Sequence, residues 1–137
     1  MMKCLFVRAP FAGWIVDGVK FTEFRTRPTS IRGRIGIIES GTGTVIGDVE
    51  LCGCRKSLTR GYYEWSFSSH RRYVRPVPFP PKPGAVLWIN LYYNPEAQDI
   101  APKLRLDALL EAGEAYQEEL KKFFAEQRKR ILNGEIW

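Results

Sequence analysis

The spacing of hydrophobic positions along this chain changes near residue 95. Before that point, glycines and prolines separate short apolar or alternating runs, a pattern that predicts β-strands. These runs are residues 4–7, 21–25, 34–39, 44–54 and 85–93. The run at residues 44–54 contains Gly47 and Gly53, which indicate bulges or bends in a barrel strand. Pro10 and Gly18 bracket a pattern of helical period, so we expect a short helix from about 10 to 17.

The middle of the chain carries weaker signals. Residues 55–70 are rich in aromatic side chains and are predicted to be irregular. Residues 73–79 contain Pro76 and Pro78, so they are predicted to form an edge strand or an extended segment. Residues 80–84 are predicted to form a loop.

The last third of the chain has a helical period. Apolar residues between Leu106 and Ile131 form one stripe and predict a helix over 107–132. A break at Gly113 that divides it into two helices is the alternative. We divide the chain into a β-rich domain, residues 1–95, and a helical extension, residues 96–137. The extension is expected to pack on the same domain, and a homodimer through this helix is the alternative.

Composition places the chain in the globular class. Its 137 residues are 45% hydrophobic and 26% charged, which suits one α+β domain with its own core. The sequence shows no long apolar segment and no signal peptide, so we expect a cytoplasmic protein that does not associate with membranes. The three cysteines, Cys4, Cys52 and Cys54, suggest neither a disulfide framework nor a zinc site. We expect no metal and no cofactor.

The net charge of +6 is distributed unevenly. Residues 1–34 carry a charge of +5 and residues 55–82 carry +6, whereas residues 35–54 carry −3 and residues 83–137 carry −2. Two basic windows separated by an acidic one indicate a basic face, and a phosphate-bearing partner is the simplest use for it. A solvated surface without a partner is the alternative.

The most informative motif is G-x-K-x-x-E-x-R, from Gly18 to Arg25. The predicted helix end places Lys20 near the start of a strand, and the alternation of that strand puts Glu23 and Arg25 on one face and Phe24 on the other. A carboxylate between cations suits a nucleobase and its phosphate, because the carboxylate accepts from an exocyclic amine while the cations donate. A structural ion-pair network at the end of a barrel is the competing interpretation.

The sequence resembles the ASCH domain family (activating signal cointegrator homology), of the PUA-like superfamily. The resemblance covers roughly residues 3–92 and rests on segments in a fixed order. These are R-A-P-F-A at 8–12, the motif at 18–25, R-G-R-I-G-I at 32–37, V-I-G-D-V-E-L at 45–51, Trp65, and Y-V-R-P-V-P-F-P-P-K-P-G-A-V-L-W at 73–88. It implies a small PUA-like β-barrel with flanking helices and a cleft lined by Lys20, Glu23 and Arg25. It also implies binding of RNA or another nucleic acid.

The candidate binding residues follow from the motif, the basic windows and the aromatic positions. The cations would contact phosphates, and Phe11 and Trp65 would stack on a base. The full set is Arg8, Phe11, Lys20, Glu23, Arg25, Arg32, Arg34, Trp65, Arg71 and Arg72. Trp14 and Trp88 are expected in the core, and the single histidine, His70, is expected on an exposed basic loop.

Catalysis is the alternative to binding alone. Some compact bacterial members of the family are N4-acetylcytidine amidohydrolases that use a threonine nucleophile, but this chain has Glu23 at that position and Thr22 on the other strand face. If the protein is an enzyme, as such a hydrolase or as a ribonuclease, Lys20, Glu23 and Arg25 would be its catalytic groups. A module that binds a small ligand or a protein is a further alternative. We expect an RNA-binding module without catalysis.

Overall fold

The computed structural model describes residues 1–80 and 87–134. The strands are β1 (Met2–Val7), β2 (Thr22–Arg25), β3 (Gly33–Glu39), β4 (Thr44–Lys56), β5 (Tyr63–Pro78) and β6 (Trp88–Leu91). The helices are α1 (Phe11–Val16), a 3₁₀ turn (Pro95–Ala97) and α2 (Leu106–Leu132). The helix predicted near Pro10 is therefore confirmed as α1.

The six strands form one mixed sheet in the order β2-β5-β4-β3-β1-β6. Among the described strands, only β1 and β3 pair in parallel, and the other neighbours are antiparallel. The sheet curls into a half-barrel, which confirms the α+β class and the PUA-like architecture. Its edges are β2 and β6, so one side of β2 has no strand partner within the described residues.

The core lies between the curled sheet and α1. Ala12, Ile15 and Val16 form the buried face of α1 and pack with strand residues such as Leu5 and Val49. The helix approaches β4 so closely that a Cβ at Gly47 would lie 2.8 Å from the Val16 side chain and 2.2 Å from the Arg71 carbonyl oxygen. Only glycine allows this approach, and β4 shifts its register with β5 between Val45 and Gly47. The bulges predicted at Gly47 and Gly53 are confirmed.

Two strand predictions need correction. Residues 55–70 are irregular only between β4 and β5, at residues 57–62, because β5 is a single 16-residue strand that begins at Tyr63 and pairs with β4 along its length. The last strand is shorter than residues 85–93: Leu91 pairs with Met2, the first residue of β1, so the residues after it have no strand to pair with. Residues 81–86, which include most of the predicted loop and the start of that strand, lie outside the described residues.

The C-terminal helix α2 runs without interruption through Gly113. The helix does not divide there, and a Cβ at Gly113 would meet no neighbouring atom within 4 Å. At 27 residues it is about 40 Å long, and it reaches the rest of the domain through Tyr116 and Phe123. In the described part of the chain, no helix has both the length and the apolar character needed to cross a bilayer.

Candidate functional site

The turn after α1 positions the lysine of the motif. Gly18 has a φ of +76°, a left-handed conformation that favours glycine, and it reverses the chain at the end of α1. The backbone amides of Val19 and Lys20 then both donate to the Trp14 carbonyl oxygen. This folds the chain back over α1 and directs Lys20 inward, where only 3% of the residue is exposed.

The three charged residues of the motif form one hydrogen-bonded group. The Lys20 Nζ lies 3.3 Å from Glu23 Oε1, and the Arg25 Nη2 lies 3.1 Å from Glu23 Oε2. Lys20 also donates to the carbonyl oxygen of Thr22, and Arg25 donates to that of Phe6 at 3.0 Å. The carboxylate therefore lies between two cations, and the prediction that Glu23 and Arg25 share a strand face is confirmed.

Aromatic rings surround the buried ammonium. The Lys20 Nζ lies 5.6 Å from the centre of the Phe11 ring and 5.3 Å from that of Tyr116, so the ring faces partly replace its water. Burial lowers the pKa of Lys20, and the neighbouring Glu23 carboxylate opposes that shift. The ammonium is thus held in a site that favours loss of its proton more than water does.

Helix α2 forms one wall of this site. The Phe123 ring stacks on Phe24 with centroids 5.1 Å apart, and Tyr116 contacts Trp14 at 5.7 Å. Between α2 and the motif lies a cavity of about 360 Å³. Its lining contains Arg8, Phe11, Lys20, Glu23, Phe24 and Arg25 and, from α2, Tyr116, Glu119, Leu120 and Phe123. We call this cavity the edge pocket, because it lies along β2, an edge strand of the sheet.

Half of the predicted residues therefore meet in one place: Arg8, Phe11, Lys20, Glu23 and Arg25 all line the edge pocket. Sequence reasoning missed the contributions of Phe24, Tyr116 and Phe123. Their signals were present but ambiguous, because Tyr116 and Phe123 belong to an apolar helix stripe that does not reveal what it packs against. Phe24 alternates with Glu23 and Arg25, yet it borders the same cavity because α2 lies along the free edge of β2.

Two of the predicted phosphate contacts instead surround a buried carboxylate. Arg34 and Arg71 both donate to Asp48, which has no exposed surface and also accepts from the hydroxyl of Tyr73. The Arg71 bonds measure 2.8 and 2.9 Å, and this arginine also donates to the Pro95 carbonyl oxygen at 3.0 Å. We call these four side chains the Asp48 cluster. Its contacts hold strands together and leave Arg34 and Arg71 apart from the edge pocket.

The remaining predicted residues lie outside the edge pocket as well. Arg72 makes a bidentate pair with Asp17 at 2.6 and 2.9 Å, and the exposed Arg32 donates to the backbone carbonyl oxygens of Thr29 and Ile31. Trp65 is only 1% exposed and stacks on Trp88 with centroids 5.8 Å apart. Its ring is therefore part of the core, and the predicted stacking of a base on Trp65 is wrong.

The histidine prediction is also wrong. His70 lies in β5, is 7% exposed, and donates from Nδ1 to the Ile15 carbonyl oxygen. Its ring meets the Phe21 ring edge-on at 5.1 Å, and burial lowers its pKa. Strand β5 carries it under the end of α1, so it is not an exposed acid–base group.

Comparison with known proteins identifies the family. A sequence profile of the ASCH domain matches residues 5–132, which is most of the chain and includes α2. This chain belongs to the ASCH domain family. The profile match extends past residue 92, where the resemblance in the sequence ends, so the ASCH domain of this chain includes the helix that forms the wall of the edge pocket. No curated protein matches the chain.

Two solved structures of ASCH proteins resemble this one. Both are mutants of ZmASCH from Zymomonas mobilis. One is 19% identical, covers 66% of this chain and 88% of that chain, and superposes with a TM-score of 0.51. The other is 21% identical, covers 56% of this chain and 75% of that chain, and has a TM-score of 0.48. The first of these shows that the two proteins share a fold.

Proposed function

We propose that this ASCH domain binds single-stranded nucleic acid, RNA in the first place, and that one unpaired nucleotide enters the edge pocket. The observation that carries the proposal is the composition of that cavity. It combines three cations, Arg8, Lys20 and Arg25, with two carboxylates, Glu23 and Glu119, and four aromatic rings in about 360 Å³. A cavity of this size falls at the low end of the range for small-molecule sites, roughly 300–1,000 Å³.

Each part of a nucleotide has a partner in the edge pocket. The rings of Phe11 and Tyr116 line the cavity beside the Lys20 ammonium and offer apolar contacts to a base. Lys20, Glu23 and Arg25 lie together and offer donors and acceptors to the edge of that base. Arg8 is exposed and lies 5.6 Å from the Phe11 ring, where it can meet a phosphate outside the cavity.

Affinity for a fluorescent single-stranded RNA, measured over a range of salt concentrations, tests this function. Each phosphate that the protein neutralises contributes about −0.7 to the slope of log K against log salt for a single strand. We expect a salt-dependent wild-type affinity and a loss of about tenfold or more in Arg25→Ala, since this change removes a charged donor from the pocket. Lys20→Ala is expected to weaken binding in the same way.

The matched control is Arg32→Ala, which removes the same charge at an exposed site away from the cavity. This variant is expected to bind within about twofold of wild type, because a single distant surface charge is largely screened by salt. Equal losses in Arg25→Ala and Arg32→Ala would contradict the proposal, since binding would then follow total charge. Circular dichroism of each variant separates loss of binding from loss of fold.

The same experiment distinguishes binding from hydrolysis. Lys20 and Glu23 form an ion pair, but Thr22, the hydroxyl of the motif, alternates with Glu23 along β2 and lies off the face that carries the pair. The proposal therefore predicts that the RNA stays intact during the binding assay. RNA cleavage that is seen on a gel with wild type and is absent in Lys20→Ala and Glu23→Gln would favour the ribonuclease alternative.

A further inference from the structure

The order of the groups in the edge pocket suggests which base it takes. Each oxygen of the Glu23 carboxylate contacts a different cation, Oε1 that of Lys20 and Oε2 that of Arg25. From Lys20 through Glu23 to Arg25, the pocket therefore presents a hydrogen-bond donor, an acceptor and a second donor. An isolated carboxylate would recognise any amine, whereas this arrangement places a donor on both sides of the acceptor.

These groups retain free hydrogen-bonding capacity. The Lys20 ammonium has three N–H bonds, of which one is directed to Thr22 and one to Glu23. Both hydrogen bonds that Arg25 makes within the described residues leave from Nη2, so its Nη1 and Nε keep their donors. Glu23 accepts only from these two cations among the described residues, and a carboxylate has about four acceptor sites.

The complement of this array is a ring N–H flanked by carbonyl oxygens. Uracil presents N3–H between two carbonyl groups, whereas guanine presents N1–H between its carbonyl oxygen O6 and its N2 amine, which would face one of the donors. Adenine and cytosine instead present an unprotonated ring nitrogen next to an amine. Placed opposite Glu23, the lone pair of that nitrogen would face a carboxylate, and one flanking donor would face an amine.

We propose that the edge pocket selects a single unpaired uracil by its ring N–H, which donates to Glu23 while a neighbouring carbonyl oxygen accepts from Lys20 or Arg25. This inference rests on the proposed function. This assignment differs from the expectation from the sequence that Glu23 accepts from an exocyclic amine. An amine would satisfy Glu23 but leave no role for the donors on both sides of it.

The α2 wall restricts the pocket to one base. The ring of Phe24 does not offer a stacking surface for a second base, because it is covered by Phe123 at 5.1 Å and by Phe124 at 6.0 Å. Tyr116 covers the opposite end above Lys20. A single mononucleotide should therefore occupy the site that a longer strand uses, and longer strands should gain only phosphate contacts outside it.

Competition by mononucleotides tests this selection. A fluorescent single-stranded RNA bound to the protein is displaced with UMP, GMP, CMP and AMP, which carry the same phosphate and differ in the base. We expect UMP to compete about tenfold more strongly than CMP and AMP, since a mismatched edge leaves buried donors and acceptors unpaired. GMP should fall between them, because only one of the groups beside its ring N–H is a carbonyl oxygen. The 3-methyl derivative of UMP, which lacks the ring N–H, should compete as weakly as CMP.

Glu23→Gln gives the test in the protein. Its amide both donates and accepts, so the preference for UMP over CMP should fall toward parity while RNA binding persists. Glu118→Gln is the matched control, because Glu118 lies on the same helix as Tyr116 but outside the edge pocket, where it pairs with Lys121. This control should keep the wild-type preference.

The outcomes separate the two proposals. Equal or stronger competition by CMP and AMP, or no competition by any mononucleotide, would overturn the base selection while RNA binding that depends on Arg25 still supports the proposed function. An unchanged preference in Glu23→Gln would also overturn it. Absence of RNA binding at low salt would contradict the proposed function, and with it the selection.

Discussion

The edge pocket and the Asp48 cluster are built from the same kinds of residue and differ in what surrounds them. In each, a carboxylate lies between two cations: Glu23 between Lys20 and Arg25, and Asp48 between Arg34 and Arg71. Asp48 has no exposed surface and its acceptor positions are filled by two arginines and Tyr73. Glu23 keeps free acceptor positions and borders a cavity.

This comparison teaches that a charge motif alone does not define a binding site. A saturated cluster with no space beside it stabilises the fold, because every buried charge is compensated where it lies. A cluster with unused donors beside a cavity can also pair with the polar and charged groups of a ligand. The edge strand β2 allows the second arrangement, since the helix on its free edge leaves space that a neighbouring strand would fill.

The largest expected effect is on stability, from a change in the Asp48 cluster. Asp48→Asn removes the charge that compensates two arginines, and breaking a buried pair in this way costs about 3–5 kcal/mol in the free energy of unfolding. Urea denaturation measures this loss. Glu23→Gln should cost less, because the buried Lys20, unlike an arginine, can lose its proton when its carboxylate partner is removed. Similar losses in the two variants would show that the two clusters are structural to the same degree.

The pH dependence of RNA binding gives a smaller effect, confined to the edge pocket. Burial lowers the pKa of Lys20 below its ordinary value of 10.5, so this ammonium loses its proton at a lower pH than a surface lysine does. RNA affinity should therefore fall as pH rises through that lowered pKa, because a cationic donor is lost. Fluorescence titrations between about pH 7 and 10 measure the change.

Lys20→Arg is the control for this pH effect, because a guanidinium keeps its charge throughout the range. Bases that lose a proton at high pH affect both proteins alike, so the informative quantity is the difference between the two profiles. A variant profile that falls as steeply as that of wild type would contradict the assignment of the titration to Lys20. A flatter profile in Lys20→Arg would strengthen the contrast with the arginine-based Asp48 cluster.

Local sequence patterns predicted much of this fold. The alternation in β2 correctly placed Glu23 and Arg25 on one face, and Gly47 and Gly53 marked real register shifts in β4. The failure at β5 was one of interpretation, since Tyr63, Trp65 and Phe67 alternate with polar residues as a strand requires. The arginines that follow suggested an exposed loop, because the carboxylates with which they pair are distant in sequence.

The wall of the edge pocket was beyond the reach of local patterns. The stripe that contains Tyr116 and Phe123 showed that α2 buries one face, but the position of that face against β2 depends on contacts about 90 to 100 residues apart in sequence. Charge likewise could not distinguish Arg25 from Arg71, because their partners become neighbours only in the folded sheet. The motif therefore identified the site, and tertiary packing determined its size.

The most direct test of the central claim is a map of backbone amide chemical shifts in the ¹⁵N-labelled protein as single-stranded RNA is added. We predict that shifts concentrate in residues 18–25 and 116–123, which border the edge pocket, while Arg34, Asp48 and Arg71 stay nearly unchanged. Shifts centred on the Asp48 cluster, or spread evenly over all exposed arginines, would contradict the claim that the edge pocket is the binding site.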